Sequence, residues 1–466
     1  MNPASDVVVV GAGISGLATA WWLQCSGRRV TVIEAASRAG GTIGTIRDSG
    51  YLIETGPNST LETSPLIAQL LEQTGTIAGR IYANPAAKNR FILRGGELLP
   101  LPLSPPAFLG TRLFSARAKL GLLRELFVAR SSPDSEETVA QFVRRRLGAE
   151  FLDYAINPFV AGVYAGDPER LSVRAAFPRL FEIEQQYGSL IRGQIQGARE
   201  RRRSKEVSKQ SAPMLSFSDG MQTLTDGVAV RLADLRLGMR ATSVSRTPDS
   251  GWEVNAVGPQ GALTLRAKTV VVATPSAAAA QLVRPHAQSA ATALEGIPYP
   301  PVASVAGAYA RAEVAHALDG FGFLVPKVEQ RRILGTIFST TLFGNRAPDG
   351  MVLLTTFVGG MRQPELAQLD ETAIAALVQE ELGSLLGVRA AAQRIWVNRW
   401  ERAIPQYTVG HLGRVSAIDE AERALPGLFF CANYRGGISV ADCIKSSRAA
   451  SDRVAQYLGR TDSAQR

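Results

Sequence analysis

An α/β fold built on a parallel sheet is the class this sequence predicts, and three observations carry the prediction. Val7–Val10 are four β-branched residues followed at once by Gly11, Gly13 and Gly16 in G-x-G-x-x-G spacing, which reads as buried strand, tight turn and helix. A second strand, Val30–Ile33, ends in Glu34, about 20 residues beyond that turn. Near the other end, Leu425–Ile444 again reads strand, Gly-rich turn, helix.

Residues 7–22 are apolar enough to suggest a membrane span, but glycines at this spacing behind a run of valine point to a phosphate. Gly11 permits the turn, Gly13 lets a pyrophosphate approach, and Gly16 lets the helix pack close to the strand. Ile14 and Ser15 head that helix, whose N-terminal N–H groups suit phosphate oxygens. Glu34, with Ala35 beside it, stands where a ribose hydroxyl needs an acceptor.

The chain has 466 residues, too many for one simple core, so two or three structural units are expected. Hydrophobic residues at 45% and charged residues at 20% are globular values and exclude disorder. A net charge of +10 favours an anionic partner: nucleic acid, an anionic membrane face or an acidic small molecule. No nucleic acid is expected, because the basic residues are dispersed or gathered at Ala198–Lys209 without interleaved aromatics. Cys25, Cys431 and Cys443 are far apart and lack C-x-x-C, so a reducing cytoplasmic compartment fits. His286, His316 and His411 are the only histidines and none pairs at ligand spacing, so no metal is expected. Chemistry would then fall to an organic cofactor. No secretory leader is expected, since Met1–Asp6 lacks a basic start.

Ser37–Thr45, "SRAGGTIGT", is a second Gly-rich loop, and Tyr51–Ser59 reads "YLIETGPNS". These segments resemble the FAD-dependent amine oxidases and their relatives, and Leu425–Ile444 resembles the segment that closes over the flavin there. The resemblance implies FAD as cofactor, with Glu34 and Arg38 on its ADP half and Gly40, Gly41, Thr42, Gly56, Pro57 and Asn58 contributing. It also places Asn433, Gly437, Ile438, Ser439 and Val440 along the isoalloxazine. Cys431 reads as a buried small residue, because the covalent-attachment motif of monoamine oxidases is absent.

The fold class expected is therefore a discontinuous Rossmann-type FAD-binding domain with an α+β substrate domain and a mainly helical membrane-associating region. The divisions are 1–85, 211–296 and 425–466 for the FAD domain, 86–210 for the helical lid and 297–424 for the substrate domain. Residues 86–210 combine a Pro-rich entry, helical apolar periodicity and basic residues, among them Arg144–Arg146. An apolar, basic helical region suits either peripheral contact with the cytoplasmic face of a membrane or a lid packed on its own protein. Ala198–Lys209 reads as a solvated loop. Residues 297–420 alternate β-rich runs with a helical run over 370–386, which suggests an antiparallel-containing sheet with helices on one side.

The middle of the chain is similar to one family in particular, the protoporphyrinogen oxidases. "NPFVAGVYAGDPERLSVRAAFPRLFEIEQQYGSLIRG" (Asn157–Gly193) carries most of the likeness, with "KNRFIL" at Lys88, "GFGFLVP" at Gly320, "LGTIFS" at Leu334 and "LLTTFVGG" at Leu353. The resemblance implies that Arg90 pairs with a propionate of the tetrapyrrole and that Phe357 and Leu324 sandwich its rings, with Ile337 a further contact. It places Gly162 and Phe357 at the reacting centre, with Gly166 shaping the turn. Two positions depart from the family: Gly44 stands where many relatives carry Arg or Gln, and Ala432 where Gly is common.

The implied activity is oxidation of protoporphyrinogen to protoporphyrin by hydride transfer to FAD, with O2 as acceptor. That chemistry needs an apolar clamp and a guanidinium rather than a strong base, and this chain has no evident His-based dyad. Coproporphyrinogen III oxidation by a close relative is the nearest alternative; it would need cations for four propionates, and Arg90 is the one clear candidate. An amine oxidase, a carotenoid desaturase and a flavin-binding scaffold without turnover stand further off. A homodimer is left open.

Overall fold

The computed structural model describes residues 5–201 and 212–464. Ser5–Val10 lies inside a sheet, as four valines with no exposed face require. It pairs in parallel with Val30–Ile33 on one side and with the end of the long strand Gly261–Val272 on the other. Leu428–Phe430 adds in parallel across from that strand's C-terminal end. Strands from the beginning, middle and end of the chain thus share one seven-stranded sheet, which Leu235–Arg236 and the antiparallel strands Arg240–Arg246 and Trp252–Gly258 complete.

The apolar stretch at 7–22 is a strand and a helix and not a span. Helix Ile14–Cys25 is buried from Ile14 to Leu23. The C-terminal helix Val440–Ala464 covers it and runs in the same direction. Ser447 Oγ donates to the Ser15 carbonyl at 2.9 Å, Arg448 lies 5.5 Å above the Trp22 ring, and Asp462 pairs with Arg28 at 2.9 Å. Both helices therefore begin on one side, beyond the C-terminal ends of the parallel strands, where doubly wound sheets bind ligands. No helix among the described residues is long and apolar enough to cross a membrane.

A second seven-stranded sheet runs in the order 394–400, 302–310, 351–359, 335–338, 320–324, 89–94 and 97–100. All neighbours are antiparallel except Asn89–Arg94 beside Gly320–Leu324. One face packs Phe91, Val305, Phe323, Leu354 and Val358 against helix Glu371–Leu386, whose N-terminus Asp370 caps by accepting from Ala373 N at 2.8 Å. The other face turns toward the first sheet. There Asn398 Nδ2 and Trp400 Nε1 both donate to the Thr55 carbonyl, at 2.7 and 2.8 Å.

The helical region surrounds its own apolar cluster of Leu113, Phe142, Val143, Phe151 and Val160. Its Arg144–Arg146 run is not a free cationic face. Arg144 pairs with Glu169, Arg145 with Glu137 and Glu184, and the fully buried Arg146 reaches Glu125 at 2.9 Å and Glu184 at 2.6 Å. Glu125 also accepts from Leu190 N at 2.8 Å, so it heads helix Leu190–Arg201. That helix corrects the loop expected at Ala198–Lys209, because helical backbone continues to Arg201; residues 202–209 lie outside the described residues.

Candidate active site

The first sheet ends in a groove made mostly of backbone. A Cβ on Gly16 would sit 1.9 Å from the Gly11 carbonyl oxygen, whereas one on Gly13 would meet nothing within 4 Å. The open side of Gly13 lies at the start of helix Ile14–Cys25, which no side chain caps. First-turn N–H groups there, on Ile14, Ser15 and Gly16, lack the side-chain acceptor that a cap supplies, as a bound diphosphate requires. At the end of the second strand, Glu34 Oε2 accepts from Ala12 N at 2.7 Å and Oε1 from Ala36 N at 2.8 Å. Each oxygen keeps a lone pair for a ribose hydroxyl beside Ala35. These residues fit the ADP half of FAD.

Arg38 acts on the second Gly-rich loop from within. Its guanidinium donates to the carbonyls of Ala39, Ile43 and Gly41 at 3.1, 2.8 and 2.8 Å. Gly40 N donates to the Ala12 carbonyl at 2.8 Å, which sets Gly40 and Gly41 beside Gly13. A Cβ on Gly56 would lie 2.0 Å from the Thr42 carbonyl oxygen, so the Gly56–Pro57–Asn58 turn crosses that loop in contact. A Cβ on Gly44 would stand 2.7 Å from Thr55 Oγ1 and 2.9 Å from Arg38 Nη2, so any side chain there would have to displace Arg38.

The C-terminal turn is held by a residue that sequence reasoning missed. Tyr407 OH donates to the Asn433 carbonyl at 2.6 Å and accepts from Gly437 N at 3.0 Å, so one hydroxyl spans the turn. The Tyr407 ring stacks on His411 with centroids 4.1 Å apart. His411 Nε2 lies 3.0 Å from the Tyr434 carbonyl and must donate to it, which leaves Nδ1 as the unprotonated nitrogen. Burial pushes His411 down to about 4 and raises the Tyr407 phenol, so both are neutral at pH 7. Ser439 Oγ accepts from Asp442 N at 3.1 Å and opens the helix at Val440. Cys431 and Ala432 are buried behind the turn, as a small-residue reading requires.

Across from this turn lies the open face of the second sheet. Register places Arg90, Gly322, Ile337 and Thr355 in one cross-strand row and Ile92, Leu324, Gly335 and Phe357 in the next. Side chains in paired rows two residues apart share a face, so Arg90, Leu324, Ile337 and Phe357 stand on the same side of the sheet. Gly322 and Gly335 between them keep the floor low. A Cβ on either would lie within 2.4 Å of a neighbouring strand's carbonyl oxygen, 2.1 Å at Gly322 and 2.4 Å at Gly335.

Helix Asn157–Tyr164 lies over one end of this face. A Cβ on its exposed Gly162 would come 2.5 Å from Leu324 Cδ2, and Phe357 packs against the cluster formed by Ala161 and Ala165 of the same segment with Val302 and Leu334. Ile438 of the C-terminal turn joins Leu324 and Val160 in one apolar cluster. Gly162 is thus set against Leu324, with Ile438 on the same cluster and Phe357 across Gly335 on the next strand but one. Gly166 is buried at the end of the helix, its Cβ position 2.7 Å from Gln406 Oε1. Ile337 sits at the other end with Phe321 and Met214. There the exposed Arg90 lies 5.8 Å from the Phe321 ring and has no carboxylate partner among the described residues.

Arg362 fixes the helix to the sheet: it donates to the Val325 and Asn157 carbonyls, both at 2.8 Å. Desolvation lowers its guanidinium to about 10, still charged at neutral pH. Neither Arg362 nor Tyr407 belongs to a motif; each acts between segments distant in sequence.

Residues 14–455 match the family of flavin containing amine oxidoreductases. A chloroplastic protoporphyrinogen oxidase of Nicotiana tabacum is 34% identical over 98% of this chain and 86% of its own length. A coproporphyrinogen III oxidase of Bacillus subtilis (strain 168) is 28% identical over 97% and 98%. A crystal structure from Exiguobacterium sp. 255-15 superposes with a TM-score of 0.81 at 24% identity, over 97% of this chain and 99% of the other, and shares the fold. Two sheets joined at a glycine-lined groove, with relatives aligned from end to end, identify the chain as a member of the flavin-containing amine oxidoreductases and, within them, of the protoporphyrinogen oxidase family of FAD-dependent oxidases.

Proposed function

We propose that this protein oxidises protoporphyrinogen IX to protoporphyrin IX in haem biosynthesis, with O2 as electron acceptor. The observation that carries the reading is the single sheet face bearing Arg90, Ile337, Leu324 and Phe357 opposite Gly162 and the Asn433–Val440 turn. Such a face suits a flat apolar macrocycle with a carboxylate at one end. FAD, when bound, supplies hydride acceptance and reoxidation by O2 to H2O2, three times per substrate. The chain's own residues bind and orient. Arg90 offers a two-pronged donor to a propionate. Phe357 and Leu324 hold the rings, and the absence of a side chain on Gly162 leaves its helix backbone close to them. No protein base is required, because the pyrrole nitrogens release protons once a bridging carbon has lost hydride.

The test is aerobic turnover of protoporphyrinogen IX and, separately, coproporphyrinogen III by the FAD-loaded protein, followed by porphyrin fluorescence. Faster turnover of the first supports the proposal. Preference for the second moves the protein to the alternative, which relatives named coproporphyrinogen III oxidase also support. FAD retention without turnover of either rejects both. Gly162→Ala should raise KM by displacing Leu324, with FAD content unchanged.

We also infer peripheral contact with the cytoplasmic face of a membrane, from exposed Leu109, Leu120, Leu123 and Phe127 in the helical region, 72%, 68%, 62% and 85% accessible, beside Arg117 and Arg124. Phe127→Ser with Leu109→Ser should reduce sedimentation with anionic vesicles. Equal partitioning of the unmodified protein onto neutral and anionic vesicles at low salt would refute the electrostatic part.

A further inference from the structure

A cavity of about 260 Å³ opens far from the active site, between the C-terminal end of helix His411–Ala424, the turn at Pro426–Gly427 and the C-terminal helix. Arg453, Gln456, Tyr457 and Arg460 line it from one face of that helix, and Arg423 faces it from the other side. Arg453 follows Val440 by more than three turns, so at 1.5 Å per residue the cavity lies roughly 20–30 Å along the helix from the flavin-side turn.

Its charges are unbalanced. Arg423 and Arg460 have no carboxylate partner among the described residues, and the Arg453 Nε–H is buried without an acceptor. Glu422 is the one acidic lining residue, and it is already engaged. Its Oε1 accepts from Arg435 Nη1 and from Phe430 N, both at 2.7 Å, while Arg453 Nη2 is 3.5 Å away. An apolar wall stands beside the guanidiniums, where Phe429 meets Tyr457 edge to face with ring centroids 6.0 Å apart. Three planar forks match a group that presents three oxygens better than a two-oxygen carboxylate. The ring wall adds affinity for an apolar body.

We propose that this cavity binds a small organic phosphate carrying an apolar ring. Arg423, Arg453 and Arg460 take the phosphate, and Phe429 and Tyr457 hold the ring. The site is independent of the substrate reading, because none of these residues reaches the open face of the second sheet.

Isothermal titration of the FAD-loaded protein with phenyl phosphate tests it. Saturable one-site binding with a Kd of about 1 mM or below is expected, with inorganic phosphate weaker. The double variant Arg423→Ala, Arg460→Ala changes two side chains without carboxylate partners. It should keep the melting temperature and flavin spectrum of the unmodified protein and bind phenyl phosphate about tenfold more weakly. Tyr457→Ala should remove the preference for phenyl over inorganic phosphate. Absence of saturable heat, or a double variant that binds as tightly as the unmodified protein, overturns the proposal.

Discussion

The groove around Gly13 and the sheet face around Phe357 are made of different materials. In the groove, positions are set by backbone meeting backbone: Gly16 on Gly11, Gly56 on Thr42, Gly40 on Ala12. On the face, they are set by side chains at alternate positions of four strands that begin at residues 89, 320, 335 and 351. At these backbone contacts the first construction has no space for an added atom, although Gly13 itself faces open space. The second tolerates exchange of similar apolar groups, so long as the register holds. An enzyme built this way can keep one cofactor while its substrate face varies.

Substitutions in the two regions should therefore fail differently. The largest effect is expected from Gly16→Ala, whose Cβ would overlap the Gly11 carbonyl at 1.9 Å. Overpacking against backbone costs about 3 kcal/mol, and purified protein should show little visible flavin absorbance. Gly13→Ala sharpens the contrast. Its Cβ has open space, so thermal stability should be unchanged while FAD affinity falls. Unchanged FAD affinity in that variant would remove the pyrophosphate from this spot.

Next comes Arg90→Ala on the sheet face, where loss of a charge-assisted pair of about 1.5–3 kcal/mol should raise KM about tenfold to a hundredfold, with FAD content intact. Arg90→Lys should fall between, since a single ammonium replaces a fork.

Stability against pH is expected to shift by a smaller amount. His411 is buried neutral, with a pKa of about 4 against 6.5 when unfolded, so the unfolded chain binds the extra proton between those values. Its contribution is fully present above pH 6.5 and is lost as pH falls toward 4, about 2 kcal/mol being gone at pH 5. Urea titrations at pH 7.5 and 5 should show a smaller loss in His411→Gln than in the unmodified protein. Equal losses would mean that His411 does not titrate on unfolding. Tyr407→Phe should have the smallest effect, about 1 kcal/mol, because one hydroxyl holds two backbone groups of the C-terminal turn. FAD dissociation measured by flavin fluorescence would register it.

The same contrast explains what could be read from sequence. The strand Val7–Val10, the helix behind it and Glu34 are local signals, and the structure has them in those places. The helix Glu371–Leu386 and the strands Val302–Ala310, Met351–Gly359 and Arg394–Trp400 were legible from periodicity for the same reason, whereas Asn89–Arg94 and Glu97–Pro100, expected in the helical lid, join that sheet. Arg90, Leu324, Ile337 and Phe357 were visible only through family likeness, because no spacing within one segment tells which strands will pair. Tyr407, His411 and Arg362 gave no signal. Each acts on a carbonyl or N–H of a distant segment, and backbone groups look alike in every sequence. The loop expected at Ala198–Lys209 failed at its start, where helix Leu190–Arg201, headed by the buried Glu125 of a distant segment, continues to Arg201.

The parallel packing of Ile14–Cys25 with Val440–Ala464 also sets a schedule for synthesis. The Gly-rich turn at Gly11–Gly16 leaves the ribosome long before the helix that covers it and the turn that Tyr407 spans. A nascent chain must keep Leu17, Trp21 and their neighbours from aggregating until that helix arrives. The groove is complete only when both segments are in place.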